Sequence, residues 1–291
     1  MKQLLILSGK GGTGKTTTAA AFARFSGAKA LADCDVDAPN LHLVLERTDT
    51  PQEKPFFGAQ KYEIDANKCI GCGICAEFCR FDAMRKLENG KYAVIDYACE
   101  GCGVCALQCP QKAVFAKDDV AGTQALYPDT PTFSTATLKM GRGNSGKLVT
   151  QVKNDLRKAA KKDVQLAIID GSPGIGCPVI ASVTGVDLAL IVAEPSKSGR
   201  SDLERLLKTA SILHTHVAVC VNKADIMPEE TEAIRQLCKD KGIAFVGTIP
   251  YDKTASQAIN SGKSLADFDC PAKDALYAVY SNTMQILEAN V

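Results

Sequence analysis

The stretch Gly9-Lys10-Gly11-Gly12-Thr13-Gly14-Lys15-Thr16-Thr17 constrains this chain more than any other. It follows the apolar run Leu4-Leu5-Ile6-Leu7, which reads as a buried strand, and precedes an Ala-rich helical stretch from Thr18 to Phe25. Glycines at a strand-to-helix turn let successive backbone N–H groups point at phosphate oxygens, and the helix N-terminus adds the positive end of its dipole. The pattern G-x-x-x-x-G-K-T predicts a cradle made by Gly9, Lys10, Gly11, Gly12, Thr13, Gly14 and Thr17. Within it Lys15 neutralises the β- and γ-phosphates and the Thr16 hydroxyl holds Mg²⁺.

Two later strand ends carry acid. Lys29-Ala30-Leu31-Ala32 leads into Asp33-Cys34-Asp35-Val36-Asp37-Ala38-Pro39, and Leu166-Ala167-Ile168-Ile169 ends at Asp170-Gly171-Ser172-Pro173-Gly174. In an open parallel sheet, ligands bind beyond the carboxyl ends of the strands, where these carboxylates fall. The residues alone leave open that Asp35 and Asp37 are ordinary strand-end or helix-capping acids. Further strands are expected at Asp187 to Ala193, Val217 to Lys223 and Ile243 to Asp252, with a helix from Ser198 to Leu213 between the first two and a sheet-packed helix at the end of the chain.

Between the acidic segments the character changes. Thr48 to Pro55 is polar and proline-bearing, as expected of a connection leaving a domain. An internal repeat follows. Lys61-Tyr62 precedes Cys69-x-x-Cys72-x-x-Cys75-x-x-x-Cys79, and thirty residues later Lys91-Tyr92 precedes Cys99-x-x-Cys102-x-x-Cys105-x-x-x-Cys109-Pro110. The chain has 13 cysteines, an odd number, and their crowding here suits metal ligation in a reducing compartment better than a disulfide framework. Zinc also takes thiolates, but its motifs usually present separated C-x-x-C pairs rather than triplets. After Phe115 the pattern ends. Tyr127 to Pro131 begins a return segment, Thr132 to Thr137 reads as a short strand, and Leu148, Val152 and Leu156 recur at helical spacing. The basic glycine-rich stretch Gly141–Lys147 reads either as an interface loop or as a solvated turn.

The doubled cysteine run resembles the bacterial two-cluster ferredoxins. That resemblance implies one [4Fe–4S] cluster on Cys69, Cys72, Cys75 and Cys109, and a second on Cys99, Cys102, Cys105 and Cys79. Arg80 departs from the pattern, which often has proline after the fourth cysteine. The remaining motifs, with Lys10 at the head of the first turn, resemble the deviant Walker A ATPases of the MinD, ParA and nitrogenase iron-protein group. The resemblance implies that Lys10 reaches a partner subunit's nucleotide, although a solvated lysine is the plainer alternative. It also implies that Asp37 orients the attacking water, Asp35 lies near the metal, Asp170 holds Mg²⁺ through a water, and the Gly174 N–H senses the γ-phosphate. Asn222 matches a position that reads adenine, and Pro250 and Tyr251 a loop flanking the base. Cys177 falls at the interval of a bridging-cluster cysteine in the nitrogenase iron protein. No second cysteine lies between Cys109 and Cys177, so a small buried residue is expected there instead.

These readings give an α/β chain: a doubly wound, mostly parallel sheet of the P-loop NTPase type, in segments 1–58 and 119–291, with an α+β ferredoxin domain inserted at 59–118. The expected activity is Mg-ATP hydrolysis by a homodimer, or a heterodimer with a paralogue, coupled to electron transfer to a redox partner. Assembly or carriage of iron–sulfur clusters or another metallocofactor is the alternative, and MinD- or ParA-like positioning a second. Net charge of +1 offers no footprint for nucleic acid. Absence of an export signal or a membrane-length apolar run predicts a cytoplasmic protein without membrane insertion.

Overall fold

The first apolar run becomes β1 (Lys2–Leu7). Leu4, Leu5 and Ile6 are fully buried because β1 lies between two parallel neighbours, β10 (Leu166–Asp170) and β11 (Leu188–Ala193). Strands covered on both faces carry continuous apolar runs, and these three do. The computed structural model describes residues 1–45 and 47–289. It divides into two units, one formed by Met1–Glu53, Gln124–Thr137 and the chain from Ser145 onward, the other by Lys54–Thr123 and Leu138–Asn144.

In the first unit, β2 (Ala30–Asp33), β9 (Thr132–Leu138), β12 (Val217–Asn222) and β13 (Ala244–Ile249) complete the strand order β13-β12-β11-β1-β10-β2-β9, and β8 (Val120–Tyr127), of which this unit holds the half from Gln124 onward, follows β9. From β13 to β9 every pairing is parallel. Alternate residues of these strands point to opposite faces. Leu4, Ile6, Leu31, Ile168 and Leu190 share a core with α1 (Lys15–Ser26) and α9 (Pro271–Ala289), where buried Phe22 meets Tyr280 edge-on at 5.1 Å. Helices α4 (Ser145–Ala159), α5 (Cys177–Val183), α6 (Lys197–Ile212) and α7 (Pro228–Asp240) pack against β2, β1, β11 and β12 respectively. Leu148, Val152 and Leu156 are all buried, as their helical spacing predicts. Lys153, on the same helix, donates to the carbonyls of Ala181, Ser182 and Thr184 at 2.6–3.1 Å, capping the end of α5 with a cation. A short helix, α8 (Lys253–Asn260), begins at Asp252, whose carboxylate accepts the Thr254 N–H.

The second unit is built on the repeat. Its two antiparallel pairs are β4 (Lys61–Ile64) with β7 (Val114–Lys117) and β5 (Met84–Lys86) with β6 (Tyr92–Val94). Each cysteine triplet runs into a short helix, α2 (Ile74–Glu77) or α3 (Val104–Gln108). Gly103 starts α3 at φ 79°, and a Cβ there would lie 2.6 Å from the Tyr62 hydroxyl. The aromatic ring of one repeat thus packs onto the glycine turn of the other, which only glycine permits.

Two sequence expectations need correction. The stretch Thr48 to Pro55 is not wholly a connection: its second half enters β3 (Gln52–Phe57), which lies beside β8 at the end of the strand order. An edge strand tolerates Pro55 because one side of it makes no ladder bonds. Gly141–Lys147 is not a free loop either. Arg142 binds Asp96 at 2.5 Å and Asp119 at 3.1 Å, and Ser145 already opens α4. Among the described residues no helix is long and apolar enough to cross a membrane.

Phe22→Ala would empty the centre of the α1–α9 layer. It is expected to cost about 3–5 kcal/mol, read as a lowered midpoint in denaturant unfolding.

Candidate nucleotide site and cysteine cavities

Three strand ends converge on Lys15. Its ammonium is 6% exposed and donates to Asp170 Oδ1 at 2.5 Å, while Thr16 Oγ1 donates to Asp170 Oδ2 at 2.7 Å. Asp35 Oδ2 lies 3.9 Å from the same ammonium. The register Ile6↔Asp170 and the bond from Cys34 N to Asp170 O at 2.7 Å bring the three turns together. Burial works against the Lys15 charge, but Asp170, with Asp33 and Asp35 behind it, outweighs the lost water and raises its pKa above the ordinary lysine value. Asp35 shifts up as well, through burial and the neighbouring acids, against the pull of Lys15.

Asp33 was not singled out in the sequence, yet it shapes the acidic loop. Fully buried, it accepts the N–H groups of Asp35, Asn40 and Leu41 at 2.9–3.0 Å. Burial, reinforced by Asp170, pushes its pKa up to about 7. A strand-terminal aspartate before a turn is the local signal that could have revealed it, since such side chains accept backbone N–H groups ahead of them. The loop it holds carries Asp37 exposed, and both Asp35 and Asp37 line a cavity of about 610 Å³.

Gly11, Gly12, Gly14, Lys15, Thr16 and Thr17 line the phosphate end of that cavity. Ile249, Pro250, Tyr251, Ile259 and Leu276 give it an apolar end suited to a flat base. Oxygen donors from Thr16, Asp35 and Asp170, in a cluster where acids outnumber Lys15, fit a hard divalent cation such as Mg²⁺. Asn222 lines the cavity too, but its Nδ2 donates to Thr13 O at 2.7 Å and its Oδ1 accepts the Lys223 N–H. A Cβ on Gly14 would lie 2.3 Å from that Nδ2, so glycine is required by this close approach and by its φ of 94°. Gly174 does not line the cavity; its N–H donates to Ser8 O at 3.0 Å.

Gly9, Lys10 and Thr13 stand outside the large cavity, beside Glu194. Lys10 pairs with Glu194 at 2.7 Å, and Lys223 joins the same carboxylate at 3.2 Å while donating to Gly12 O. The Lys10 hydrogen bond, more than the burial opposing it, holds the Glu194 pKa below its ordinary value. Glu194, Lys223 and Asp225, which accepts the Tyr251 N–H at 2.7 Å, had no motif to announce them. Cys177 contradicts its expected burial. As the first residue of α5, directly after the loop from Asp170, it is exposed.

In the second unit Cys69, Cys72, Cys75 and Cys109 line one cavity, and Cys79, Cys99, Cys102 and Cys105 line another. All 13 cysteines are free. Among the described residues no group of three or more His, Cys, Asp or Glu converges closely enough for a single metal ion. Four thiols around a hollow match in number and kind the donors that an iron–sulfur cube takes. Cys79 and Cys109 Sγ accept the N–H groups of Ala83 and Ala113 at 3.4 and 3.3 Å. Burial opposes the Cys109 thiolate, but the N–H groups from residues 111 to 114 outweigh it and lower the pKa. That favours the form that binds metal.

With this geometry in view, the similarities to known proteins are consistent. The chain is 35% identical over 227 residues to the uncharacterised protein MJ0578 of Methanocaldococcus jannaschii, covering 76% of this chain and 78% of the relative. It is 26% identical to MJ0579 of the same organism, covering 92% and 94%. The cytosolic Fe-S cluster assembly factor NBP35 of Eremothecium gossypii is 28% identical over 151 residues, 44% of this chain and 45% of its own length. The cell division ATPase MinD of Pyrococcus furiosus shares the fold, with a TM-score of 0.57 at 17% identity over 98% of this chain and 99% of that one. The CobQ/CobB/MinD/ParA nucleotide binding domain model matches residues 4–265, which contain the loop, both acidic strand ends and most of the residues lining the cavity, and the chain belongs to that family.

Proposed function

We propose that this chain is a dimerising Mg-ATPase whose nucleotide state governs electron transfer through two [4Fe–4S] clusters to a redox partner. The observation that carries the reading is the pair of four-cysteine cavities in the same polypeptide as a P-loop site. Lys15 and the backbone of residues 11–17 would bind the phosphates, and Thr16, Asp35 and Asp170 would hold Mg²⁺, which offsets phosphate charge. Asp37, exposed at the cavity, would position water for attack on the terminal phosphate. Asp170 would give up its bond from Lys15 when phosphate oxygens take that ammonium, freeing the two acidic turns to move. The eight cysteines would hold the clusters, whose chemistry is one-electron storage and transfer.

Dimerisation follows from Lys10. Held by Glu194 within its own chain, Lys10 would release that carboxylate to reach a second subunit's phosphates. Similarity to two different proteins of one organism is compatible with a paralogous partner as well as a homodimer. A second reading, assembly or carriage of iron–sulfur clusters, draws its support from the NBP35 likeness, which spans less than half of this chain. It separates from the first by the fate of the iron: a carrier passes a cluster to an apo-acceptor in a nucleotide-dependent way, whereas a conduit keeps both.

Anaerobically prepared protein is expected to hold about eight iron atoms per chain, and, once reduced, to pass electrons to a one-electron acceptor at a rate that differs between ATP, ADP and no nucleotide. Stopped-flow rates identical in all three states would refute the coupling. Glu194→Gln weakens the hold on Lys10 and is expected to tighten ATP-dependent self-association about tenfold, a gain of roughly 1.4 kcal/mol. Sedimentation velocity with and without ATP measures it, and Lys10→Ala in the same background should abolish the gain.

A further inference from the structure

The repeat offset of thirty residues pairs Lys61 with Lys91 and Ala66 with Asp96. Lys91 is half-buried, and its ammonium donates to Ala66 O at 2.5 Å at the surface. Strict symmetry would send Lys61 to the carbonyl of Asp96. Arg142 approaches that carbonyl instead, at 3.4 Å, and binds the Asp96 side chain at 2.5 Å and Asp119 at 3.1 Å. Lys61 turns to the carbonyl of Cys99 and is only 8% exposed. A segment outside the repeat, 138–144, therefore accompanies the point at which the two halves cease to be equivalent.

The consequence is electrostatic. Lys61 donates to a neutral carbonyl, on the main chain of a residue that lines the second cavity, so it brings an ammonium charge into a desolvated position there. The other charges nearby are paired or wet: Arg142, whose charge also reaches Cys99, with Asp96 and Asp119, and half-exposed Lys117 with Glu63 and Asp96 at 3.5 and 3.9 Å; Asp96, already bound by Arg142, feels the Lys61 charge as its weakest influence. Exposed charges are screened by water and salt, whereas buried ones act at lower effective dielectric. Fixed charge beside an iron–sulfur site is one of the levers that set its potential.

We propose that Lys61 makes the site of Cys79, Cys99, Cys102 and Cys105 the more easily reduced of the two. This rests on the reading of both cavities as [4Fe–4S] sites. A one-electron reductant loses one electron and that cluster gains it; no bond is made or broken and no proton moves. An electron arriving at the site of Cys69, Cys72, Cys75 and Cys109 would then pass to its neighbour, oxidising the first cluster as it reduces the second. The asymmetry gives the pair a direction that two identical repeats would lack.

The test is a potentiometric titration of the anaerobic full-length protein with dithionite, followed by electron paramagnetic resonance, with iron and sulfide measured on the same samples. Unmodified protein is expected to show two separate midpoints. Lys61→Met should lower the higher one by at least a tenfold change in the one-electron equilibrium, about 59 mV, and leave the lower in place, while Lys91→Met should move neither. Iron-replete protein whose two midpoints coincide would overturn the inference alone, as would Lys61→Met with full iron and unchanged midpoints. If Lys61→Met fails to fold, the unmodified protein's midpoints decide the matter. Unmodified protein without iron would instead sink the cluster reading, and this inference with it.

Discussion

The buried contact between Lys15 and Asp170 is the constraint to which the nucleotide site answers. Its two charges lie 155 residues apart in the chain, one opening α1 and the other closing β10, and both are almost fully withdrawn from water. A pair like this gives little net stability, because desolvation consumes most of its attraction, but an unpartnered member costs about 3–5 kcal/mol. The fold therefore cannot move one partner without supplying another. Phosphate oxygens are such a partner for Lys15, and a divalent cation is one for Asp170. Nucleotide and metal arriving together satisfy both, which gives a physical reason for their binding as a unit.

Beside this pair, burial and Asp170 work against the charge of Asp33, while Lys15 favours it. A third carboxylate without water would normally be expelled from such a position, because burial disfavours its charged form. What holds it is the fan of three backbone N–H groups from the loop it shapes. The excess of acid over base around Lys15 is thus spread across a bonded loop. Loss of the N–H fan would release the loop and Asp33 together.

Local signals in the sequence carried the outline of the site. The glycine-lysine turn, the strand ending in Asp170 and the cysteine spacing each depend on residues a few positions apart, and each announced itself. Glu194, Lys223 and Asp225 did not, because their roles exist only through partners such as Lys10 and Tyr251 that the fold brings from distant sequence. The double bonding of Asn222 was hidden for the same reason: its partner Thr13 lies on the first turn of the sheet. Cys177 departs from a cysteine's usual burial because it heads a helix at the surface, which its local sequence does not signal. The repeat was legible in full, but the break in its symmetry was not, since Arg142 enters from outside it.

The cysteines of the second unit also bear on how that unit can fold. Its buried cluster consists of Cys75, Cys105 and Val114, with Tyr62, Ile64, Met84 and Tyr92 packed around them. Two of the three central residues are thus candidate ligands, and burial pushes both thiols up, Cys105 to about 11. A unit of this size rarely supplies enough apolar burial to be stable without staples. Protonated thiols in such a core are poor substitutes for aliphatic side chains, whereas thiolates bound to metal both lose their desolvation problem and cross-link the chain. Metal binding and the folding of this unit would then be one equilibrium, with protons released as the core closes.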